Sequence, residues 1–136
     1  MPQKRKRRSP WKKLMGNLRL NGHRKKEHDR GNPEHGISGS SSRRVIEVTE
    51  KDLKKIYEKQ KGKCYWFDIE LNPMDIFITH NPMAMSVDRI DNDRDYYKDN
   101  IVICCRLANL GRGTCGYKRF KKIIRNLKNE ISQSNK

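Results

Sequence analysis

Apolar residues recur at helical spacing in two parts of the chain. Leu53, Ile56 and Tyr57 follow Thr49, and the pair Thr49 and Asp52 is typical of a helix N-terminal cap. A second helix is predicted over residues 117–131. We expect its apolar members to face the core: Phe120, Ile123, Ile124, Leu127 and Ile131.

We expect short strands at 63–67, 85–90 and 101–105, and the last of these segments is almost wholly apolar. A short helix should follow over about 106–110, before the first of three glycines. The stretch between the last two strands is polar, and two prolines favour a loop over 71–85. The pattern therefore predicts an α+β fold with the central order strand, loop, strand, helix.

The first third of the chain differs in composition from the rest. Residues 1–44 carry 14 Lys/Arg and 3 Asp/Glu, a net charge of +11 out of +16 for all 136 residues. So polar a segment predicts a disordered basic arm with a Gly/Ser linker over 1–43, and a folded domain over 44–136. The apolar residues between Trp11 and Leu20 would suit a short helix formed on a partner.

This charge predicts a polyanionic partner, because each phosphate that a cation neutralises releases condensed counterions. The expected contacts in the arm are Lys4, Arg5, Lys6, Arg7 and Arg8. On the outer face of the last helix they are Lys118, Lys122 and Arg125. An anionic membrane surface is the weaker alternative, since the arm lacks a clear amphipathic stripe.

Other sequence features bear on the compartment. No apolar run is long enough to span a membrane, and the N-terminus lacks the apolar region of a secretory signal. Four cysteines without regular spacing argue against a disulfide scaffold. We therefore expect a cytoplasmic protein that is not secreted and does not enter a membrane.

Two oxygen-bearing side chains carry the candidate chemistry. Asp88 lies in the second predicted strand, and Asn109 lies in the short helix beyond the turn and the third strand. Carboxylate and amide oxygens are hard ligands, which suit a divalent cation such as Mg²⁺. This spacing is one in which a nuclease could hold a single metal ion against a phosphodiester.

The motifs SVDRID (86–91), Tyr96 with Asn100, and CRLAN (105–109) resemble the HNH, or ββα-metal (His-Me finger), nuclease family. The resemblance covers about residues 60–112, and the small size resembles phage-encoded members. It implies that Asp88 and Asn109 bind Mg²⁺ or Mn²⁺ and that Asn100 fixes the loop. It also implies a ββα domain with flanking helices, acting on DNA, for which a duplex is expected.

Arg89 departs from the family pattern, in which a general-base histidine stands at this position. An arginine stays protonated, so it cannot accept a proton from water, although it can clamp a phosphate. A subgroup of the family with Asp-Arg is thought to recruit a tyrosine near its first cysteine, and Tyr65 is the nearest candidate. His80, in the loop before the second predicted strand, is the other candidate base.

A frequent structural zinc site of the family is also incomplete. Relatives have two Cys-x-x-Cys pairs, whereas Phe67 and Ala108 here leave only Cys64 and Cys105. Two thiolates do not complete a tetrahedral site, so we do not expect structural zinc and interpret the cysteines as small buried apolar residues.

The sequence thus predicts a metal-dependent DNA endonuclease that hydrolyses phosphodiester bonds. The missing histidine leaves a first alternative, a catalytically impaired DNA-binding module of the same fold. A basic RNA-binding protein is the second alternative. The sequence leaves both a monomer and a homodimer open.

Overall fold

Helices and small sheets alternate along the computed structural model, which describes residues 8–22 and 44–134. The elements are α1 (Pro10–Gly22), β1 (Ile46–Glu47), α2 (Glu50–Lys59), a 3₁₀ helix (Pro73–Phe77), β2 (Met85–Arg89), β3 (Tyr96–Tyr97), β4 (Ile101–Cys105), α3 (Arg106–Arg112) and α4 (Tyr117–Ser134). The predicted α+β class is confirmed. No helix in these described ranges has both the length and the apolar character needed to cross a membrane.

Two small sheets organise the centre of the fold. β2 and β4 pair antiparallel, with Met85 opposite Cys105 and Arg89 opposite Ile101. Every residue of β4 is buried, as its unbroken apolar run predicted. β1 and β3 form a second, parallel pair that the sequence did not predict, because two-residue strands leave no periodic signal.

The predicted helices α2 and α4 are confirmed, with one correction. The side chain of Thr49 accepts from the Asp52 amide, and the Asp52 carboxylate accepts from the Thr49 amide. In α4 only Phe120 and Ile124 are buried. The expectation that the whole apolar stripe faces the core is wrong, because Ile123, Leu127 and Ile131 are exposed. The core reaches only the row formed by Phe120 and Ile124, and Leu127 and Ile131 lie further along the helix.

α1 corrects the expectation of a disordered arm for residues 10–22. Leu14, Met15 and Leu18 are buried in the same core as the domain from residue 44 onward. The helix contacts α2, the 3₁₀ helix and β2. Its high charge does not oppose this packing, because its cations are on the exposed side of the helix: Lys12, Lys13 and Arg19.

The segment expected to form a strand at 63–67 is a turn instead. Lys63 forms only an isolated bridge with Glu70. The Asp68 amide donates to the Cys64 carbonyl, so the chain reverses within five residues. The predicted loop over 71–85 includes the 3₁₀ helix, which the Asn72 side chain caps by accepting from the Met74 amide.

Candidate active site between β2 and α3

α3 runs along the edge of β2 that β4 leaves unpaired. Asn109 Nδ2 donates to Ser86 Oγ at 2.7 Å and to the Val87 carbonyl at 3.2 Å. One turn later, the Arg112 guanidinium donates to the carbonyls of Arg89 and Ile90. These side chains satisfy carbonyl groups that an open strand edge would present to water or to another strand. We call the group formed by Ser86, Asp88, Asn109 and Arg112 the β2–α3 seam.

Asp88 is buried in this seam and is held through one of its two oxygens. Its Oδ2 accepts from Trp66 Nε1 and from Arg112 Nη1, both at 2.8 Å. The Arg112 side chain is fully buried, and its guanidinium lies 4.9 Å from the centre of the Trp66 ring. Oδ1 accepts no hydrogen bond from the described residues. Since no buried side-chain oxygen or nitrogen among them lacks a partner, Oδ1 reaches solvent.

Asn109 is held in the same way, through its nitrogen, and its Oδ1 accepts no hydrogen bond from the described residues. Asn109 binds Ser86, which lies two residues before Asp88 on β2. Residues two apart on a strand point to the same face and are about 7 Å apart. The two predicted metal ligands therefore lie on the same side of β2.

The donor set of the seam suits a hard divalent cation. Mg²⁺ commonly takes one or two protein carboxylates, and waters and substrate phosphates fill the other positions. Within the described ranges, no three His, Cys, Asp or Glu side chains converge on one point. Mg²⁺ or Mn²⁺ held by Asp88 and Asn109 would therefore take most of its ligands from water and phosphate.

Asn100 fixes the loop that follows β2. Its Oδ1 accepts from the Asp91 amide at 2.9 Å, and its Nδ2 donates to the carbonyls of Asp91 and Asp95 at 3.1 and 3.0 Å. The side chain is almost fully buried, at 1% exposed. Asn100 thus replaces backbone pairing across the loop and holds its two ends together.

Arg89 contacts the same loop from β2. Its Nη1 donates to the carbonyls of Asn92 and Arg94 at 2.6 and 3.0 Å, and its guanidinium lies 5.4 Å from the centre of the Tyr96 ring. The residue also lines a cleft of about 870 Å³, which we call the basic cleft. Its cationic lining residues are Arg44, Arg89, Lys118 and Arg119.

The two predicted candidates for the general base differ in their surroundings. Tyr65 Oη is 2.8 Å from Tyr117 Oη, and burial together with this hydrogen bond raises the pKa of Tyr65 to about 12. His80 is exposed at φ 60°, and its side chain forms no hydrogen bond or ion pair with the described residues. Neither residue is joined to Asp88 by a direct contact.

The predicted DNA-binding residues divide between the described and the remaining parts of the chain. Lys4, Arg5, Lys6 and Arg7 lie outside the described residues. Arg8 is exposed just before α1, and Lys118, Lys122 and Arg125 are exposed on α4. Lys118 also lines the basic cleft, so part of the α4 charge adjoins that cleft.

Cys64 and Cys105 meet in the core, with their Sγ atoms 3.9 Å apart. Cys64 Sγ accepts from the amide of Phe67 at 3.5 Å, and Cys105 Sγ accepts from the amide of Ala108 at 3.4 Å. Burial raises the pKa of Cys105 to about 11, so its thiol is protonated at neutral pH. Both side chains occupy the apolar core.

Sequence reasoning missed three residues around the site: Trp66, Arg112 and Tyr117. The available signal for Arg112 was its position three residues after Asn109, which places both on one face of a helix. Tyr117 and Lys121 likewise have the spacing of neighbours on a helix face. No spacing in the sequence indicated the role of Trp66, because its partner Asp88 lies 22 residues away.

Comparison with known families, curated proteins and solved structures finds no match to this chain. The function is therefore argued from the chemistry of the site.

Proposed function

We propose that this protein is a metal-dependent endonuclease that hydrolyses phosphodiester bonds in DNA at the β2–α3 seam. The observation that carries the proposal is the pair of solvent-facing oxygens, Asp88 Oδ1 and Asn109 Oδ1, on one side of β2. Each belongs to a side chain that hydrogen bonds hold through its other polar atom. Oriented oxygen ligands of this kind favour a divalent cation.

The surrounding residues have distinct roles in this proposal. Trp66 and Arg112 fix the orientation of the Asp88 carboxylate, as residues behind a metal ligand commonly do. A divalent cation bound there would neutralise the scissile phosphate and stabilise the leaving oxygen. Arg89 offers its remaining guanidinium hydrogens to a phosphate oxygen, while Asn100 holds the loop against which Arg89 rests.

A nucleic-acid substrate is supported by the distribution of charge. Arg89 and Gly113, the chain neighbours of Asp88 and Arg112, line the basic cleft, and the exposed cations of α4 continue from it. The whole chain carries +16, which favours binding to a polyanion through counterion release. DNA is the substrate that we propose.

A nucleic-acid-binding module without catalytic activity is the second candidate. One observation favours it: the charged groups of the seam, and the neighbouring Arg89, already have structural partners. Asp88 Oδ2 is paired with the buried Arg112, and Arg89 is bonded to two loop carbonyls. In this candidate the seam serves the fold alone, and the surface cations bind phosphates.

A plasmid assay separates the two candidates. Purified protein is incubated with supercoiled plasmid and Mg²⁺ or Mn²⁺, and the Asp88→Asn variant is compared with Asp68→Asn, an exposed control. Asparagine keeps an oxygen that accepts from Trp66 and Arg112 but lacks the charge. We expect Asp88→Asn to lose more than the roughly 10–100-fold that removal of a residue supporting a metal ligand costs. Asp68→Asn should cleave like the parent.

Asp88→Ala is the less suitable variant, because it removes the oxygen that accepts from the buried Arg112 as well as the charge. Removing one member of a buried ion pair costs about 3–5 kcal/mol, so lost activity could reflect unfolding. Undiminished cleavage by Asp88→Asn would refute the site. DNA binding without cleavage by the parent protein would establish the second candidate instead.

A further inference from the structure

Two phenols and one ammonium group meet at the start of α4. Tyr117 Oη lies 2.8 Å from Tyr65 Oη. Lys121 Nζ lies 4.8 Å from the centre of the Tyr117 ring and 5.7 Å from that of Tyr65. Tyr117 and Lys121 are four residues apart on the helix, so they share a face.

We propose that Tyr117 is the group that accepts the proton of the attacking water in the basic cleft. This inference rests on the proposed nuclease function. Of the two phenols, Tyr117 lines the basic cleft with Arg89, whereas Tyr65 borders a different cavity with Lys59 and Lys63. The sequence left Tyr65 and His80 as candidates, and the geometry favours Tyr117, the hydrogen-bonded neighbour of Tyr65.

The environment separates the acidities of the two phenols. The Lys121 ammonium, and then the hydrogen bond with Tyr65, lower the pKa of Tyr117. Burial, and then the hydrogen bond to Tyr117, raise the pKa of Tyr65 to about 12. The first proton to leave this pair is therefore that of Tyr117, and Tyr65 then donates its hydrogen to the phenolate.

The other charges around Tyr117 come from several elements, and cations outnumber carboxylates. The charged residues that share the cleft are Arg44 before β1, Arg89 of β2, Asp91 and Asp93 of the following loop, and Lys118 and Arg119 of α4. Arg112 of α3 contacts the Trp66 ring, which in turn lies 5.5 Å from the Tyr117 ring. A positive surrounding favours both the phenolate and an anionic substrate.

Trp66 also connects Tyr117 with Asp88 of the β2–α3 seam. Its indole nitrogen donates to Asp88 at 2.8 Å, and its ring contacts that of Tyr117. The proposed proton acceptor and the carboxylate therefore lie on either side of one shared residue. Neither Arg89, which stays protonated, nor His80, which has no contact with the cleft, offers a comparable position.

The step balances as an ordinary hydrolysis. The Tyr117 phenolate takes a proton from water as the water oxygen forms a bond to phosphorus. The bond between phosphorus and the leaving sugar oxygen breaks, and its electron pair stays on that oxygen, which takes a proton from solvent. Tyr117 returns its proton to solvent before the next turnover. A positioned base of this kind contributes typically about 10²–10⁴-fold to the rate.

The first test is a pH–rate profile of plasmid cleavage. We expect Tyr117→Phe to lose about 10²–10⁴-fold. Tyr65→Phe and Lys121→Met should stay active, with the rise of the rate moved to higher pH, because each removes a group that stabilises the phenolate. The matched controls, Tyr97→Phe and Lys55→Met, change a phenol and a lysine outside the cluster and should keep the parent profile.

The second test needs neither substrate nor metal. The near-ultraviolet absorption of tyrosinate is followed during a pH titration of the metal-free protein, which has five tyrosines. We expect the lowest ionisation step to disappear in Tyr117→Phe and to move to higher pH in Lys121→Met. It should remain in Tyr97→Phe.

The outcomes distinguish this inference from the function on which it rests. If the parent cleaves, Asp88→Asn does not, and Tyr117→Phe keeps the parent rate and profile, Tyr117 is not the proton acceptor although the nuclease assignment stands. Persistence of the lowest tyrosine ionisation in Tyr117→Phe overturns the inference as well. A parent protein that does not cleave overturns both.

Discussion

Arg112 joins more of the candidate site than any residue singled out from the sequence. Its guanidinium binds the Asp88 carboxylate and the carbonyls of Arg89 and Ile90, and its Nε donates to the Cys115 carbonyl. These contacts connect β2 with α3 and with the segment before α4. A planar group with five donors suits this position, whereas a lysine ammonium could not reach all four acceptors.

We expect Arg112→Ala to lower the free energy of unfolding by about 3–5 kcal/mol, because it leaves the buried Asp88 without its ionic partner. Urea denaturation measures this loss. Arg106→Ala, an exposed residue of the same helix, should change stability by less than about 0.5 kcal/mol. A loss at Arg112 as small as that of the control would show that the pair contributes nothing to the fold.

Residue-scale prediction from the sequence had a clear limit. Asp88 and Asn109 were singled out by type and order, and the structure brings them to one side of β2. The sequence did not identify the partners of Asp88, because Trp66 and Arg112 lie 22 and 24 residues from it along the chain. No periodic pattern connects residues at such separations, so only the folded chain reveals the pairing.

At the scale of elements, β4 was predictable because its apolar run is short, unbroken and bounded by polar residues. β2 was predictable because apolar and polar residues alternate from Met85 to Asp88. The helix α1 was not predicted, because the high charge of the N-terminal segment was given more weight than the spacing of its apolar residues. Its net charge suggested disorder, yet Leu14, Met15 and Leu18 share one face of a helix and become buried together. The turn at 63–67 was taken for a strand because its apolar side chains serve core packing around Cys64 and Trp66.

The packing of α1 gives a prediction with a control on the same helix. We expect Leu14→Ala to cost about 2–5 kcal/mol of stability, because the side chain is 2% exposed and its removal leaves a cavity. Leu20→Ala should be nearly neutral, since that side chain is 71% exposed. Denaturant unfolding of both variants measures the difference. Equal effects would show that α1 is not part of the core.

The contact between the Cys64 turn and the start of α3 gives a prediction about metal binding. The two Sγ atoms are 3.9 Å apart, close to the edge of a tetrahedron with Zn–S bonds, roughly 3.8 Å. Each sulfur accepts from an amide three residues later, at Phe67 and Ala108. Phe67→Cys combined with Ala108→Cys should therefore bind one zinc ion and gain thermal stability.

Cobalt absorption and metal titration would check this double variant against its parent and against each single variant. The parent has two thiols at this point and should bind zinc weakly, because two thiolates do not complete a tetrahedral site. Equal metal binding by parent and double variant would contradict the geometry. The same titration would test whether Cys104, buried beside Cys105, contributes a ligand.

At the scale of the whole molecule, α1 connects the basic N-terminal residues to the folded body. Arg8 is exposed immediately before the helix, and the basic cleft and the cations of α4 provide further positive surface. Phosphate contacts from such groups add affinity without reading base sequence. Affinity and stability should therefore respond to different parts of the N-terminal region.

Two deletions separate these contributions. Removing residues 1–7 takes away Lys4, Arg5, Lys6 and Arg7 but keeps α1. We expect an unchanged thermal midpoint and a shallower dependence of DNA affinity on salt, by up to about 0.9 in the logarithmic slope for each phosphate that these cations no longer neutralise. Removing residues 1–22 should in addition destabilise the protein, because the core then lacks Leu14, Met15 and Leu18. Binding isotherms at several salt concentrations and thermal unfolding measure the two effects. An unchanged slope after the shorter deletion would show that these four cations do not bind phosphate, and an unchanged midpoint after the longer one would contradict the packing of α1.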